Sequence, residues 1–381
     1  MWQRETFSDT NSLSDETHYC IGLDHVIYKK LSLYITCMVT YSESGVNTVL
    51  GDDASSILYS AAKETWKNRK AKLGEIITPF DDFSGIRAIN ISSLPKDTFM
   101  SVSFDGVGTK IEIAERSNKH DTIAFDLFAM VCDDAVVRGG EPVLVGSTLE
   151  INKINIDVIK QLAKGYVNAA KEAGVAVING EIAEVGSRVS GFGNYNYNWS
   201  AAVIWFAKKS NMFTGKELKV GDTLISFKED GFRSNGFSLV RKIMGDKWDK
   251  RTLSQALTPS RIYSKAVVEM FGKLNGVAHI TGGGIPGKLG RTLKPSGLGA
   301  ELDNLFEPCT LMQECIKLAD LDLREAYKTW NMGNGMIVAT NTPDEVLSIA
   351  KQHKIEAKVC GQIVKQKGIK LTSFTDEVVS F

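Results

Sequence analysis

Proline is scarce and cysteine is scattered. Eight prolines stand against 34 glycines in 381 residues, so the backbone has few rigid breaks and many places to turn. That balance suits an α/β enzyme with tight corners better than a disordered chain. The six cysteines (Cys20, Cys37, Cys132, Cys309, Cys315 and Cys360) form no C-x-x-C pair. So few, so dispersed, they read as reduced thiols of a cytoplasmic protein. The five histidines are equally dispersed, which argues against a His/Cys zinc site. An excess of one charge is missing too: 45 basic residues balance 45 acidic ones, and no global field draws the chain to nucleic acid. No apolar run is long enough to span a membrane, and the stretch from Val26 to Val39 is broken by Lys29 and Lys30. Residues 1–37 show no basic start, apolar core and small-residue cleavage site, so no signal peptide is expected. A G-x-S-x-G elbow, a G-x-x-x-x-G-K-[ST] loop and the dinucleotide glycine pattern are all absent, which weakens hydrolase, P-loop and nicotinamide readings.

What remains is an ordinary globular composition, 43% hydrophobic and 24% charged, in a chain long enough for two or three domains. Periodicity predicts helices over 55–72, 120–137 and 157–173, the last stopped by Gly174, with strands over 98–104, 142–149, 175–178 and 199–208. The texture changes near Ser210. Strands are predicted over 223–227, 277–281, 336–339 and 358–364, with helices over 237–244, 261–274 and 343–353. The order is α/β in the first half. The expected division is 1–37, an extension of unknown role, then 38–208 and 209–381. Met38 as the true start, or a mobile or dimer-docking arm, are the two readings of the extension.

The most informative stretch is Asp105-Gly106-Val107-Gly108-Thr109-Lys110, which follows the alternating run from Thr98 to Ser103. The glycines let backbone N–H groups approach phosphate oxygens. Asp105 offers hard oxygen ligands for Mg²⁺, and Lys110 can neutralise phosphate charge. A plain glycine turn with solvated charges is the competing reading. Asp126, Asp133 and Asp134 lie on one apolar helix. Burying carboxylates there costs several kcal/mol per charge unless each is paired or bound to metal. Asp126 also reads as a surface acid, whereas the Asp133-Asp134 pair points to a metal or ligand. Asn179-Gly180-Glu181 follows a buried strand, at the strand end where α/β folds collect ligands. Glu181 is the candidate there, and Glu184 reads equally as a surface acid. Arg233-Ser234-Asn235-Gly236 opens a helix. It reads either as a capped helix or as an anion site at a helix N-terminus. His279-Ile280-Thr281-Gly282-Gly283-Gly284 places three glycines after a strand, at an entropic cost that packing does not return.

In order along the chain, these motifs resemble the phosphoribosylformylglycinamidine cyclo-ligase (aminoimidazole ribonucleotide synthetase) family. The resemblance runs from about Tyr41 to the C-terminus. It takes in Tyr41-x-x-Ser44-Gly45-Val46, Asp105 to Lys110, Lys119 to Leu127, Met130 to Pro142 and Gly180-Glu181-x-Ala183-Glu184. Ser234 to Ile243, Pro259-x-Arg261-Ile262-Tyr263, His279 to Gly284 and Asn331-x-Gly333-x-Gly335-Met336 complete it. It implies a two-domain α/β (α+β) fold with an N-terminal mixed sheet that pairs across a homodimer and a C-terminal α/β sandwich. It also implies ATP and Mg²⁺ as cofactors and a small nucleotide substrate. ATP would phosphorylate a formyl amide oxygen, and an amidine nitrogen would then close an imidazole ring. Asp105, Asp134 and Glu181 would hold the metal. Lys110 would sit on phosphate. Gly106, Gly108, Thr109 and Asp126 would contact the nucleotide. Lys63 would either approach it or remain a solvated lysine. Arg233, Ser234, Asn235, Thr281, Gly282 and Gly283 would hold the substrate.

The chain also departs from the family pattern. A Gly-Gly-Phe-Gly loop is replaced by Pro79-Phe80-Asp81-Asp82-Phe83-Ser84-Gly85. The Asn-Asp pair is Asp133-Asp134, and Arg233 stands where His is usual before Ser-Asn-Gly. These changes leave open another ATP-dependent enzyme of the superfamily, such as a thiamine-monophosphate kinase or an amidotransferase relative. Gly51-Asp52-Asp53-Ala54 superficially fits the kinase. A non-catalytic nucleotide-binding paralogue is the third reading.

Overall fold

The computed structural model describes residues 48–77 and 87–381. The expectations for 1–37, for Tyr41 to Val46 and for the acidic stretch 79–85 lie outside the described residues. The first half runs α1 (Thr48–Thr65), β1 (Ile76–Ile77), β2 (Ala88–Ile89), β3 (Thr98–Gly106), α2 (Ile111–Ser117), α3 (Ile123–Val136), β4 (Glu141–Ile151), α4 (Ile156–Ala173), β5 (Ala176–Glu184) and β6 (Tyr197–Lys208). Strands β3, β6, β4 and β5 form, in that order, a four-stranded mixed sheet in which β4 and β5 are the parallel pair.

The local reasons are visible in the sequence. Ala54, Leu58, Ala61, Ala62 and Thr65 fall on one face of α1 and are buried. Helix α4 starts at Asn155, whose side chain accepts the Asp157 and Val158 N–H groups, and stops at Gly174 with φ 72°. Helix α3 is buried nearly all round. Only Phe125 and Asp134 among its residues are even half-exposed. It therefore lies inside the molecule, against β3, β6 and α4 of the first half and the segments Ser264–Glu269 and Leu274–His279 of the second. The opposite face of the four-stranded sheet is bare: Met100, Val102 and Phe104 on edge strand β3 are 64%, 39% and 75% exposed.

The second half runs β7 (Thr223–Lys228), α5 (Phe237–Met244), α6 (Lys250–Ala256), α7 (Ser264–Glu269), β8 (Leu274–His279), α8 (Gly284–Leu293), β9 (Gly299–Leu302), α9 (Thr310–Ala319), α10 (Leu323–Thr329), β10 (Asn334–Thr340), α11 (Pro343–Gln352), β11 (Ala357–Val364), β12 (Gly368–Thr372) and β13 (Val378–Ser380). Its seven-stranded sheet has the order β13-β12-β9-β11-β7-β10-β8. The two-domain α/β class expected from the sequence is the fold found.

Three expectations are corrected. Strand β5 does not end at Ile178. A register shift after Val145 lets Gly146 to Ile151 keep pairing with Asn179 to Glu184, so Glu181 lies within a strand. The helix expected over 261–274 is only α7. Its first turn is set by the Asp133 carboxylate, which accepts the Tyr263 and Ser264 N–H groups, and Gly272 at φ 88° turns the chain into β8. Helix α5 is preceded by Gly236, in the left-handed region at φ 78°, with no side-chain cap; Ser234 and Asn235 do not cap it.

Candidate active site

The corner after β3 separates residues that look alike in sequence. Asp105 is exposed, and its Oδ1 accepts the Gly106 N–H at 2.7 Å. Partial loss of water raises its carboxyl above the ordinary range, the charge of Asp134 adds to this, and Lys288 opposes it. Gly106 backs onto β6, where a Cβ would come within 3.1 Å of the Trp199 carbonyl. Gly108 has φ 66° and open space where a Cβ would sit, and Thr109 beside it is exposed. Lys110 goes the other way. It is fully buried, its Nζ donating to Asp126 Oδ1 at 2.7 Å and to the Thr258 carbonyl at 2.6 Å. Asp126, expected at a nucleotide or on the surface, is fully buried as well and also accepts from Ser260. Burial raises its carboxyl, with Lys110 and Ser260 pulling the other way. Lys110 and Asp126 thus tie the loop to the second half of the chain.

Arg233 is the hub of a second buried network. Its Nη1 donates to Glu229 at 2.6 Å and to the Arg261 carbonyl at 3.0 Å. Its Nη2 donates to Asp133 at 2.9 Å and to His279 Nε2 at 2.7 Å. Arg233, Asp133 and Glu229 have no exposed side-chain surface. One guanidinium serves two carboxylates. Burial therefore prevails on the acids, raising Glu229 and pushing Asp133 up to about 7, while the paired acids hold Arg233 above its usual value despite burial. Arginine only donates, so His279 Nε2 accepts and Nδ1 carries the proton, which it gives to Asp134 Oδ1 at 2.7 Å. Burial and the Arg233 charge lower His279 to about 4. It is neutral near pH 7. Burial pushes Asp134 up, but the His279 hydrogen bond together with the nearby positive charge outweighs it and keeps Asp134 below its ordinary value. Asp134 is 41% exposed and ionised, the one acid of α3 left facing a cleft.

The glycine loop and the Ser234-Asn235 loop meet. A Cβ on Gly282 would stand 3.0 Å from Asn235 Oδ1. Gly283 and Gly284 have φ 93° and 56°, and Gly284 is pressed so tightly on the Tyr327 carbonyl that a Cβ there would sit 1.9 Å away. Ser234 Oγ is buried with no hydrogen-bond partner. Arg233, grouped with these residues as a substrate contact, is instead sealed beneath them.

Glu181 is exposed and shares with Asp105, Thr148 and Asn179 an open depression on the bare sheet face. Glu184 accepts the Ile154 N–H at 3.1 Å and holds a loop. Lys63 is exposed on α1, its ammonium 5.4 Å from the Tyr59 ring centroid. Among the described residues no group of three or more His, Cys, Asp or Glu side chains converges as a ready metal cage. Asp105, Asp134 and Glu181 are therefore not a closed three-carboxylate site. Asp105 and Asp134 do feel one another's charge, and both supply hard oxygens. Mg²⁺ typically takes one or two carboxylates and fills its shell with water and phosphate, so this pair fits it.

Apart from His279, sequence reasoning passed over the residues that frame the cleft beside Asp134. Its volume is about 390 Å³, and Ser103, Arg138, Thr214, His279, Lys288 and Arg291 are in its wall. Lys288 and Arg291 sit on α8, a helix not predicted because glycines and Pro286 crowd its first turn. The i, i+3 spacing of the two cations was its remaining signal.

The glycine corner, the interlocked acids and the two sheets are those of a two-domain α/β class. Residues 87–201 match the family described as AIR synthase related protein, N-terminal domain, and residues 219–373 match its C-terminal domain. A phosphoribosylformylglycinamidine cyclo-ligase of Methanocaldococcus jannaschii is 32% identical over 345 residues, covering 86% of this chain and 93% of its own. The chain belongs to the phosphoribosylformylglycinamidine cyclo-ligase family. Two solved structures share the fold. Thiamine-monophosphate kinase from Stenotrophomonas maltophilia K279a has a TM-score of 0.60 at 14% identity, over 82% of this chain and 95% of that one. The hydrogenase maturation protein HypE in complex with ATP has a TM-score of 0.51 at 12% identity, over 77% and 86%. No described helix is long and apolar enough to cross a membrane.

Proposed function

We propose that this chain closes the imidazole ring of aminoimidazole ribonucleotide from formylglycinamidine ribonucleotide at the expense of ATP, a step of purine synthesis. Membership of the cyclo-ligase family over most of the chain carries the reading. An amide oxygen is a poor leaving group. Transfer of the terminal phosphoryl group of ATP to the formyl amide oxygen makes it a good one. The amidine nitrogen then attacks the activated carbon, and phosphate leaves with that oxygen. The protein's part is positioning and charge neutralisation.

The N–H groups of the exposed turn at Gly108 and Thr109 receive phosphate oxygens, whereas the Gly106 N–H is held by Asp105. Asp105 and Asp134 would hold Mg²⁺, with Glu181 at its water shell, and the ion would supply charge neutralisation on the transferring phosphoryl group. His279, neutral and fixed by Arg233, keeps one Asp134 oxygen occupied and so sets the direction of the other. Asn235 and the Thr281–Gly283 loop orient the formyl and amidine end. Lys110 and Asp126 hold the corner from within and are not assigned a ligand. The stretch 38–208 carries the nucleotide and the dimer contact, and 209–381 the larger share of the substrate. With ATP, Mg²⁺ and formylglycinamidine ribonucleotide the purified chain is expected to release ADP and to form an aminoimidazole detectable by diazo coupling. ADP release without the aminoimidazole, or ATP binding without turnover, rejects this reaction.

The bare apolar face of β3 is proposed to pair with a second copy, since a contiguous exposed apolar patch on an edge strand invites association. Phe104→Asp is expected to shift the sedimentation coefficient from dimer to monomer. A wild-type chain that sediments as a monomer at micromolar concentration removes the proposal.

A further inference from the structure

The cleft beside Asp134 is strongly basic in a chain whose net charge is zero. Arg138, just beyond α3, and Lys288, Arg291 and Lys294, on or just after α8, face it against a single carboxylate, Asp134. Other cations close to the site are spoken for. Lys110 is paired with Asp126, Arg233 with Asp133 and Glu229, and Arg261 with Asp230. The four cleft cations have no ion pair within 4 Å among the described residues. Lys288 is half-buried, and loss of water together with the nearby Arg291 charge lowers its ammonium, against the pull of Asp134 and Asp105. Gathering these like charges in one cleft, with Lys288 partly out of water, costs free energy that Asp134 and Asp105 offset only in part. A bound dianion returns it. Arg138 and Arg291 supply planar forks and Lys288 a point charge, which together are donor types that recognise a phosphomonoester.

We propose that Arg138, Lys288 and Arg291 form a phosphomonoester subsite that seats the phosphate of the sugar-phosphate substrate. The substrate phosphate is then anchored on α8, and its reacting end lies toward Asp134 and the Thr281–Gly283 loop. Only the identity of the phosphate's bearer rests on the cyclisation reading; the subsite itself rests on the charges and shape of the cleft.

The test is calorimetric titration of the full chain with ribose 5-phosphate, ribose and ATP, comparing wild type with Lys288→Gln/Arg291→Gln and with Arg138→Gln. The wild type is expected to bind ribose 5-phosphate and not ribose. The double variant should lose roughly ten- to a hundredfold in ribose 5-phosphate affinity, as expected for removing charge-assisted hydrogen bonds, and keep its ATP affinity. Arg138 and Arg291 are exposed and Lys288 half-buried, so the variants are expected to melt with the wild type. Loss of ATP affinity with ribose 5-phosphate binding intact assigns these cations to the nucleotide and overturns the proposal. Unchanged affinities, or a wild type that ignores ribose 5-phosphate, overturn it too. If ribose 5-phosphate binds as described while no aminoimidazole forms, the reaction fails and the subsite stands.

Discussion

Arg233→Met is expected to lower the free energy of unfolding by about 3–5 kcal/mol, the usual cost of leaving buried charge without its partner. The loss is large because the guanidinium has no neighbour able to replace it. Glu229 and Asp133 are both fully buried and both raised by burial, and Arg233 reaches them through separate nitrogens. Methionine fills the volume and removes the charge. His279 also loses the donor that fixes its tautomer. Urea unfolding monitored by tryptophan fluorescence measures the loss. Arg233→Lys keeps the charge but cannot span the acids with a fork, and should fall between. Adding Glu229→Gln to Arg233→Met removes one unpaired carboxylate and should recover part of the stability, which a mere packing defect would not allow. A Met variant within 1 kcal/mol of wild type shows that these acids are protonated and that the network is not ionic.

How far the sequence is legible follows from what each kind of signal depends on. Amphipathic periodicity is local, so α4, β3, β4 and β6 were predictable to within about two residues, as was the Gly174 stop, whereas α1 lies about seven residues earlier than expected and β5 runs on to Glu184. The corner from Asp105 to Lys110 was visible because glycine spacing is also local. What a side chain faces is not local. Lys110 and Asp105 are five residues apart with equally plausible chemistry, yet one is sealed under α5 and the other is exposed at the end of β3. Their fates are decided by Thr258 and Asp126, 148 and 16 residues distant from Lys110. The same holds for α3. Its sequence showed that buried carboxylates needed partners, but the partners of Asp133, namely Arg233 and the Tyr263 and Ser264 amides, come from the other half of the chain. Only Asp134 escaped such pairing enough to remain half-exposed. Helix α8 was missed because its start breaks the propensity rules, and with it went the cations of the cleft.

That division gives the sharpest test of the proposed chemistry. Asp105→Asn is expected to cut kcat roughly 10²- to 10³-fold, the scale of losing one electrostatic stabiliser of a transition state, and to leave the melting temperature where it was. Asparagine keeps the size and the acceptor for the Gly106 N–H, so the corner has no reason to move. Asp105 is exposed, and burial together with Asp134 raises its carboxyl, so removing its charge relieves the fold if anything. Lys110→Met should behave in the opposite sense. It strands Asp126, whose second oxygen already has no partner, and should lose stability before any effect on turnover can be read. Pairing it with Asp126→Leu should restore much of that stability, because two apolar groups replace two buried charges. Two residues of one glycine corner would then part cleanly, Asp105 in the reaction and Lys110 in the fold. An Asp105→Asn enzyme with near-normal kcat and an unchanged melting curve moves the phosphoryl chemistry away from this corner. The carboxylates left to carry it would then be Asp134, oriented by His279 beside Lys288, and Glu181.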